Sequence, residues 1–134
     1  MEIAIRSDDV FREEFIVTKG VYENFIRAFG DNNPLHTDAD FAGSFGFAGT
    51  VMHGNILNGF LSYFVGMCLP HKNVMIYSQQ LDFKLPVYMD DVLTLEATVT
   101  GIYDSVNLVE FRIRFLKSTG VVAAKGKLQI GLLK

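Results

Sequence analysis

Four apolar-rich runs mark the second half of the chain, at 74–83, 92–103, 108–117 and 121–132, with apolar and polar positions alternating strictly through 93–99 and 109–115. Each run is rich in β-branched and aromatic side chains, and alternation of that kind predicts half-buried strands. Turn residues separate them at 85–91, 104–107 and 118–120. Connections this short do not allow crossovers, so the four strands are expected to run antiparallel as a meander. Upstream, residues 54–69 carry Ile56, Leu57, Phe60, Leu61, Phe64, Val65 and Cys68. These cover most of a helix circumference, which predicts a buried helix. Before it, 11–18 suits an edge strand, and Val21, Phe25, Ala28 and Phe29 recur at helical spacing behind Thr18, a fitting N-cap. Residues 30–52 are expected to be mostly loop, with one helical turn at 39–44. The sum is an α+β layout in which an antiparallel sheet wraps one apolar helix.

That helix has polar exceptions. Asn55, Asn58 and Ser62 fall three and four residues apart and so share a face. Buried polar groups need partners, which neighbouring strands or a second subunit could supply. Gly59 and Gly66 cost helix stability relative to alanine, and their use is close approach of another backbone. At the head of the helix, His53-Gly54 puts an amide without a neighbouring Cβ into the first turn, where N–H groups lack intrahelical partners and the dipole favours negative charge. Such an amide suits a developing oxyanion, although glycine there also suits capping.

Composition narrows the class. The 134 residues are a usual single-domain length, so one domain over 1–134 is expected. Hydrophobic side chains make up 49% of them, enough for a real core. With 12 basic against 15 acidic side chains the net charge is -3, which offers no bulk attraction to nucleic acid or anionic membrane. Glu2, Arg6, Asp8 and Asp9 follow Met1 closely and no segment is long and apolar enough to span a bilayer, so a cytoplasmic protein is expected. Cys68, the single cysteine, sits among apolar neighbours and reads as an inert thiol.

Candidate chemistry concentrates in Asp31-Asn32-Asn33-Pro34-Leu35-His36. Proline fixes its own φ and biases Asn33 away from helix, so the chain turns between carboxylate and imidazole and lets them converge. Together these groups can orient and deprotonate a water. Taken singly, Asp31 also suits helix termination and His36 a satisfied loop histidine. Asp31, His36 and His53 are chemically suitable metal ligands as well, but their spacing matches no zinc pattern, and no metal is expected.

Gly30-Asp31-Asn32-Asn33-Pro34-Leu35-His36, then Asp38, Phe41 and Ala42, then Val51-Met52-His53-Gly54 and a long apolar helix, resembles the hydratase 2 motif of the MaoC-like dehydratases, notably the single-domain (R)-specific enoyl-CoA hydratases. The resemblance continues through Leu81-Asp82-Phe83-Lys84-Leu85-Pro86-Val87 and Asp90-Asp91 and covers nearly the whole chain. It implies a hot-dog fold, usually dimerised through sheet edges, and a reaction in which water adds to C3 of a trans-2-enoyl thioester to give the (R)-3-hydroxyacyl thioester, or the reverse. It places the catalytic pair on Asp31 and His36 and the carbonyl-binding amide on Gly54, with Asn33, Ser62 and His53 in support. The acyl pocket is expected between the central helix and the loop from Asp31 to Val51, lined by some of Phe41, Phe45, Phe47 and Ile56. The implied substrate is an acyl-CoA, with an acyl-carrier-protein thioester as the other carrier, and the implied assembly is a homodimer or higher homo-oligomer.

Two departures bear on the pocket: Asn32 stands where relatives often carry an apolar or aromatic residue, and Asn55 and Asn58 add polarity at the head of the helix. A hot-dog thioesterase, or a dehydratase of the fatty-acid-synthesis type, would want a carboxylate on the central helix. Residues 54–69 contain none. A non-catalytic acyl-thioester-binding protein would keep the fold without the acid-base residues. No Rossmann glycine pattern occurs, so neither a nicotinamide nor a flavin cofactor is expected.

Overall fold

The computed structural model describes residues 3–134. Five strands, β1 (Val10–Ile16), β2 (Val74–Phe83), β3 (Val92–Tyr103), β4 (Leu108–Lys117) and β5 (Val122–Leu132), form one antiparallel sheet in the order β1-β3-β4-β5-β2. Four helices lie between β1 and β2: α1 (Lys19–Phe29), α2 (Pro34–Thr37), α3 (Ala39–Ser44) and α4 (Asn55–Tyr63). One wider π-helical turn, Phe64–Cys68, continues α4.

Strict alternation does the folding. Leu93, Leu95, Ala97 and Val99 of β3 and Val109, Phe111, Ile113 and Phe115 of β4 are all buried. They close over Ile56, Leu57, Leu61, Phe64 and Val65 of the helical segment, so the sheet wraps the helix as a hot-dog fold. Each fully buried Leu or Phe contributes roughly 1.5–3 kcal/mol relative to exposure. Among the described residues no helix is long and apolar enough to cross a membrane.

The expected meander holds only for β3, β4 and β5. β2 does not pair with β3 but with β5 at the far edge. The segment from 84 to 91 makes the transfer. Lys84 and Leu85 donate to the Ala123 carbonyl, Met52 donates to Val87 at 2.8 Å, and Asp90 donates to Val17 at 2.8 Å. It therefore runs across the head of α4 rather than turning as a hairpin.

The polar face of α4 finds a strand. Gln79 of β2 donates to the Asn58 side chain at 2.6 Å and to its carbonyl at 3.0 Å, and Asn58 donates to Asn55 at 3.0 Å. Ser62 is exposed, one turn beyond this network.

Candidate active site

Helix α1 delivers the first residue. Thr18 caps its start, accepting from the Val21 amide, and Gly30 ends it in the left-handed region at φ 72°, where a side chain would be strained. The chain swings there, and Asp31 follows. Its Oδ1 accepts from the Asn33 amide at 3.2 Å, and Asn33 in turn caps α2, its side chain accepting from Leu35 at 2.9 Å. Asn33 thus holds the loop from both ends. Proline at the first position of α2 suits a helix start, and the single turn brings His36 back toward Asp31.

His36 Nδ1 lies 2.6 Å from the Val51 carbonyl oxygen, which can only accept. In the neutral form of the ring the hydrogen is therefore on Nδ1 and the lone pair on Nε2. Nε2 stands 3.9 Å from Asp31 Oδ2, too far for a direct hydrogen bond. Tyr22 of α1 donates to the His36 carbonyl at 2.6 Å, and burial, with the Glu23 carboxylate adding to it, pushes this phenol above its ordinary pKa. It remains a donor at neutral pH.

His53 is buried at 3% exposure and donates from Nε2 to the Asp31 carbonyl at 2.9 Å. One donor atom each from Asp31, His36 and His53 lies within 4.8 Å of the others, a set with metal-binding chemistry.

Gly54 begins α4. The amides of Ile56 and Leu57 are the first to reach carbonyls, those of His53 and Gly54, so the Gly54 amide lies ahead of the helical ladder. A Cβ at this position would sit 3.0–3.2 Å from the ring of Phe83. The glycine therefore has a packing reason to be there beside any chemical one.

Two cavities flank Asp31 and His36. One, of about 390 Å³, is lined by His36, Phe47, Val51, Gly54, Leu57 and Phe83 among others. The other, of about 820 Å³, opens between α1 and α4 and touches Asp31, Phe25, Phe29, Asn55, Ile56 and Gly59. The four residues of which some were expected to line the acyl pocket do not all border one cavity. Phe47 and Ile56 line different cavities, while Phe41 of α3 and Phe45, the residue that ends it, pack on each other at 5.1 Å with Phe45 66% exposed. Ser62 lies outside the lining of the cavity at Asp31, which meets α4 in its first two turns, at Asn55, Ile56, Asn58 and Gly59. Phe83 and the α1 face were not singled out beforehand. The only advance sign of Phe83 was its place beside Lys84-Leu85-Pro86 in the resembling segment.

Cys68 stays a thiol, since burial, the Glu13 charge and a hydrogen bond to Glu13 all raise its pKa against the opposing pull of Lys72.

This fold, with a carboxylate and an imidazole facing each other near the head of a wrapped helix, is that of the hot-dog hydro-lyases. The chain belongs to the MaoC-like domain family, whose profile matches residues 4–120. It is 33% identical over 102 residues to an (R)-specific enoyl-CoA hydratase of Aeromonas caviae, covering 76% of each chain, and 37% identical over 100 residues to one of Rhodospirillum rubrum, covering 72% of this chain and 69% of that one. The solved (R)-hydratase of A. caviae involved in PHA biosynthesis superimposes with a TM-score of 0.88 at 28% identity, over 96% of this chain and 98% of the other.

Proposed function

We propose that the protein hydrates trans-2-enoyl-CoA to (R)-3-hydroxyacyl-CoA, or catalyses the reverse dehydration, with Asp31 and His36 as the catalytic pair and Gly54 as the carbonyl-binding amide. The observation that carries this reading is the 3.9 Å gap between His36 Nε2 and Asp31 Oδ2, a gap that the two hydrogen bonds of one water span. Asp31 orients that water, and the His36 Nε2 lone pair takes one of its protons as oxygen bonds to C3. The π electrons move through C2 to the thioester oxygen, which the Gly54 amide and the positive end of α4 stabilise. His36 then returns the proton to C2 on the same face, so that one water is added and nothing else is consumed.

Loss of the conjugated enoyl absorbance with crotonyl-CoA and a longer homologue, followed by chiral analysis of the product, tests the reaction. Release of free CoA with the alkene intact would make it a thioesterase instead.

The acyl chain occupies the 390 Å³ cavity, where Phe47, Val51, Leu57, Phe83, Leu85 and Val87 supply apolar wall beside the two histidines and Lys84. Phe47→Ala is expected to shift chain-length preference severalfold while Phe45→Ala does not. Equal losses for short and long chains would move the acyl group to the groove at Ile56.

Gly54→Ala is expected to lower kcat at least tenfold, on the order of the loss from a misplaced oxyanion contact. Adding Phe83→Leu relieves the ring contact. Full recovery of turnover in the double variant would show that the ring of Phe83 alone requires glycine at this position.

Assembly is proposed as a homodimer through β2, an edge strand whose Met75 and Tyr77 are 48% and 55% exposed. Sedimentation at micromolar concentration should give a two-chain mass, and a stable monomer would reject the interface.

A further inference from the structure

We infer that His53 is the positioning residue of this site, fixing the backbone of Asp31 with its Nε2 hydrogen and bearing the ring of His36 on its face. The inference rests on the assignment of Asp31 and His36 as the catalytic pair.

His53 is anchored on both sides by main chain. The Met52 amide donates to Val87, and the His53 carbonyl accepts from Ile56 at 3.1 Å. The side chain then reaches back 22 residues along the sequence to the Asp31 carbonyl, 2.9 Å away. A carbonyl only accepts, so Nε2 carries the hydrogen and Nδ1 is left with its lone pair. That Nδ1 is buried and has no hydrogen-bond partner among the described residues. The single bond available to the ring is thus the one to Asp31.

The ring is also a shelf. His36 stacks on it with centroids 3.9 Å apart and planes 28° apart, and Phe25 of α1 packs against it at 4.6 Å. His36 and His53 carry opposite tautomers, hydrogen on Nδ1 in one and on Nε2 in the other, each dictated by a different carbonyl, Val51 for the first and Asp31 for the second. Asp31 Oδ2 consequently faces both Nε2 atoms, at 3.9 and 4.0 Å. One buried side chain sets the spacing of both members of the pair, and a shift of about 1 Å in such spacing costs about a hundredfold in rate.

Two variants separate the bond from the shelf. His53→Phe keeps a ring without the donor, and His53→Gln keeps an amide donor without the ring. His53→Phe is expected to lower kcat about a hundredfold with KM changed less than about threefold, and His53→Gln to recover part of that loss. A merely structural residue would instead lower the melting temperature in both variants and leave kcat per folded molecule at the wild-type value. That outcome overturns the proposal.

A second readout needs no turnover. Nitrogen-15 spectra of the histidine rings in the unliganded wild type should show His53 protonated on Nε2 and His36 on Nδ1. The opposite tautomer at His53 overturns the positioning role even if the enzyme is active. Wild-type protein that shows these tautomers yet hydrates no enoyl thioester would defeat the catalytic assignment and keep the His53 geometry.

Discussion

Asp31→Asn and His36→Gln are each expected to lower kcat for enoyl-CoA hydration about a hundredfold to ten-thousandfold, the usual range for acid-base catalysis. Both substitutions keep size and remove one half of the water's support. Because the two groups act on one water, the double variant should be little worse than either single one. The fold should survive, since Asp31 is exposed and the asparagine can still accept from the Asn33 amide. If the pair served only to shape the loop, the variants would melt earlier, turn over near-normally while folded, and add their destabilisation roughly independently. Hydration rates and thermal melts on all three variants decide the matter, and near-wild-type turnover in either single variant would sink the mechanism.

Gly126→Ala should be the most damaging small substitution in the sheet. Gly126 lies on β5 opposite Leu81 of β2 and Ile113 of β4. A Cβ there would collide with the Gln80 carbonyl oxygen, 2.7 Å from its carbon and 3.0 Å from the Leu81 Cα, all backbone atoms that cannot rotate aside. The expected cost is on the order of 3 kcal/mol or more, a fall in Tm of about 10 °C. Gly101→Ala is the control, because its new Cβ meets at 2.8 Å the ring of Tyr103, a half-exposed side chain free to swing away. Urea or thermal denaturation measures both. A loss at Gly126 no larger than at Gly101 would contradict the pairing of β2 with β5.

The strands were legible because alternation and turn residues are properties of neighbours. The runs expected at 74–83, 92–103 and 108–117 coincide with β2, β3 and β4, and β5 begins one residue later than expected. The buried helix was equally legible in its apolar surface. Its change to a wider turn at Phe64–Cys68 was not, since side-chain pattern reports burial and not the register of backbone hydrogen bonds. Helix α2 was expected to be loop because a single turn shows no period, although Asn33 before Pro34 carried the cap and the first helical position.

The candidate site divides the same way. Asp31, His36 and Gly54 are residue types whose chemistry can be named from the chain, and the proline between the first two already forces the turn that lets them converge. What lies between them needed the fold: the strand order β1-β3-β4-β5-β2, the ring of Phe83 over Gly54, the separation of Phe47 and Ile56 into two cavities, and the bond from His53 to the Asp31 carbonyl. By itself the sequence determined the elements and the reactive groups, because dihedral preference, capping and side-chain periodicity act over a few residues. Only the tertiary structure decided which elements meet, because the contacts that do so join groups as far apart in the chain as Asp31 and His53 or Leu81 and Gly126, where no local pattern reaches.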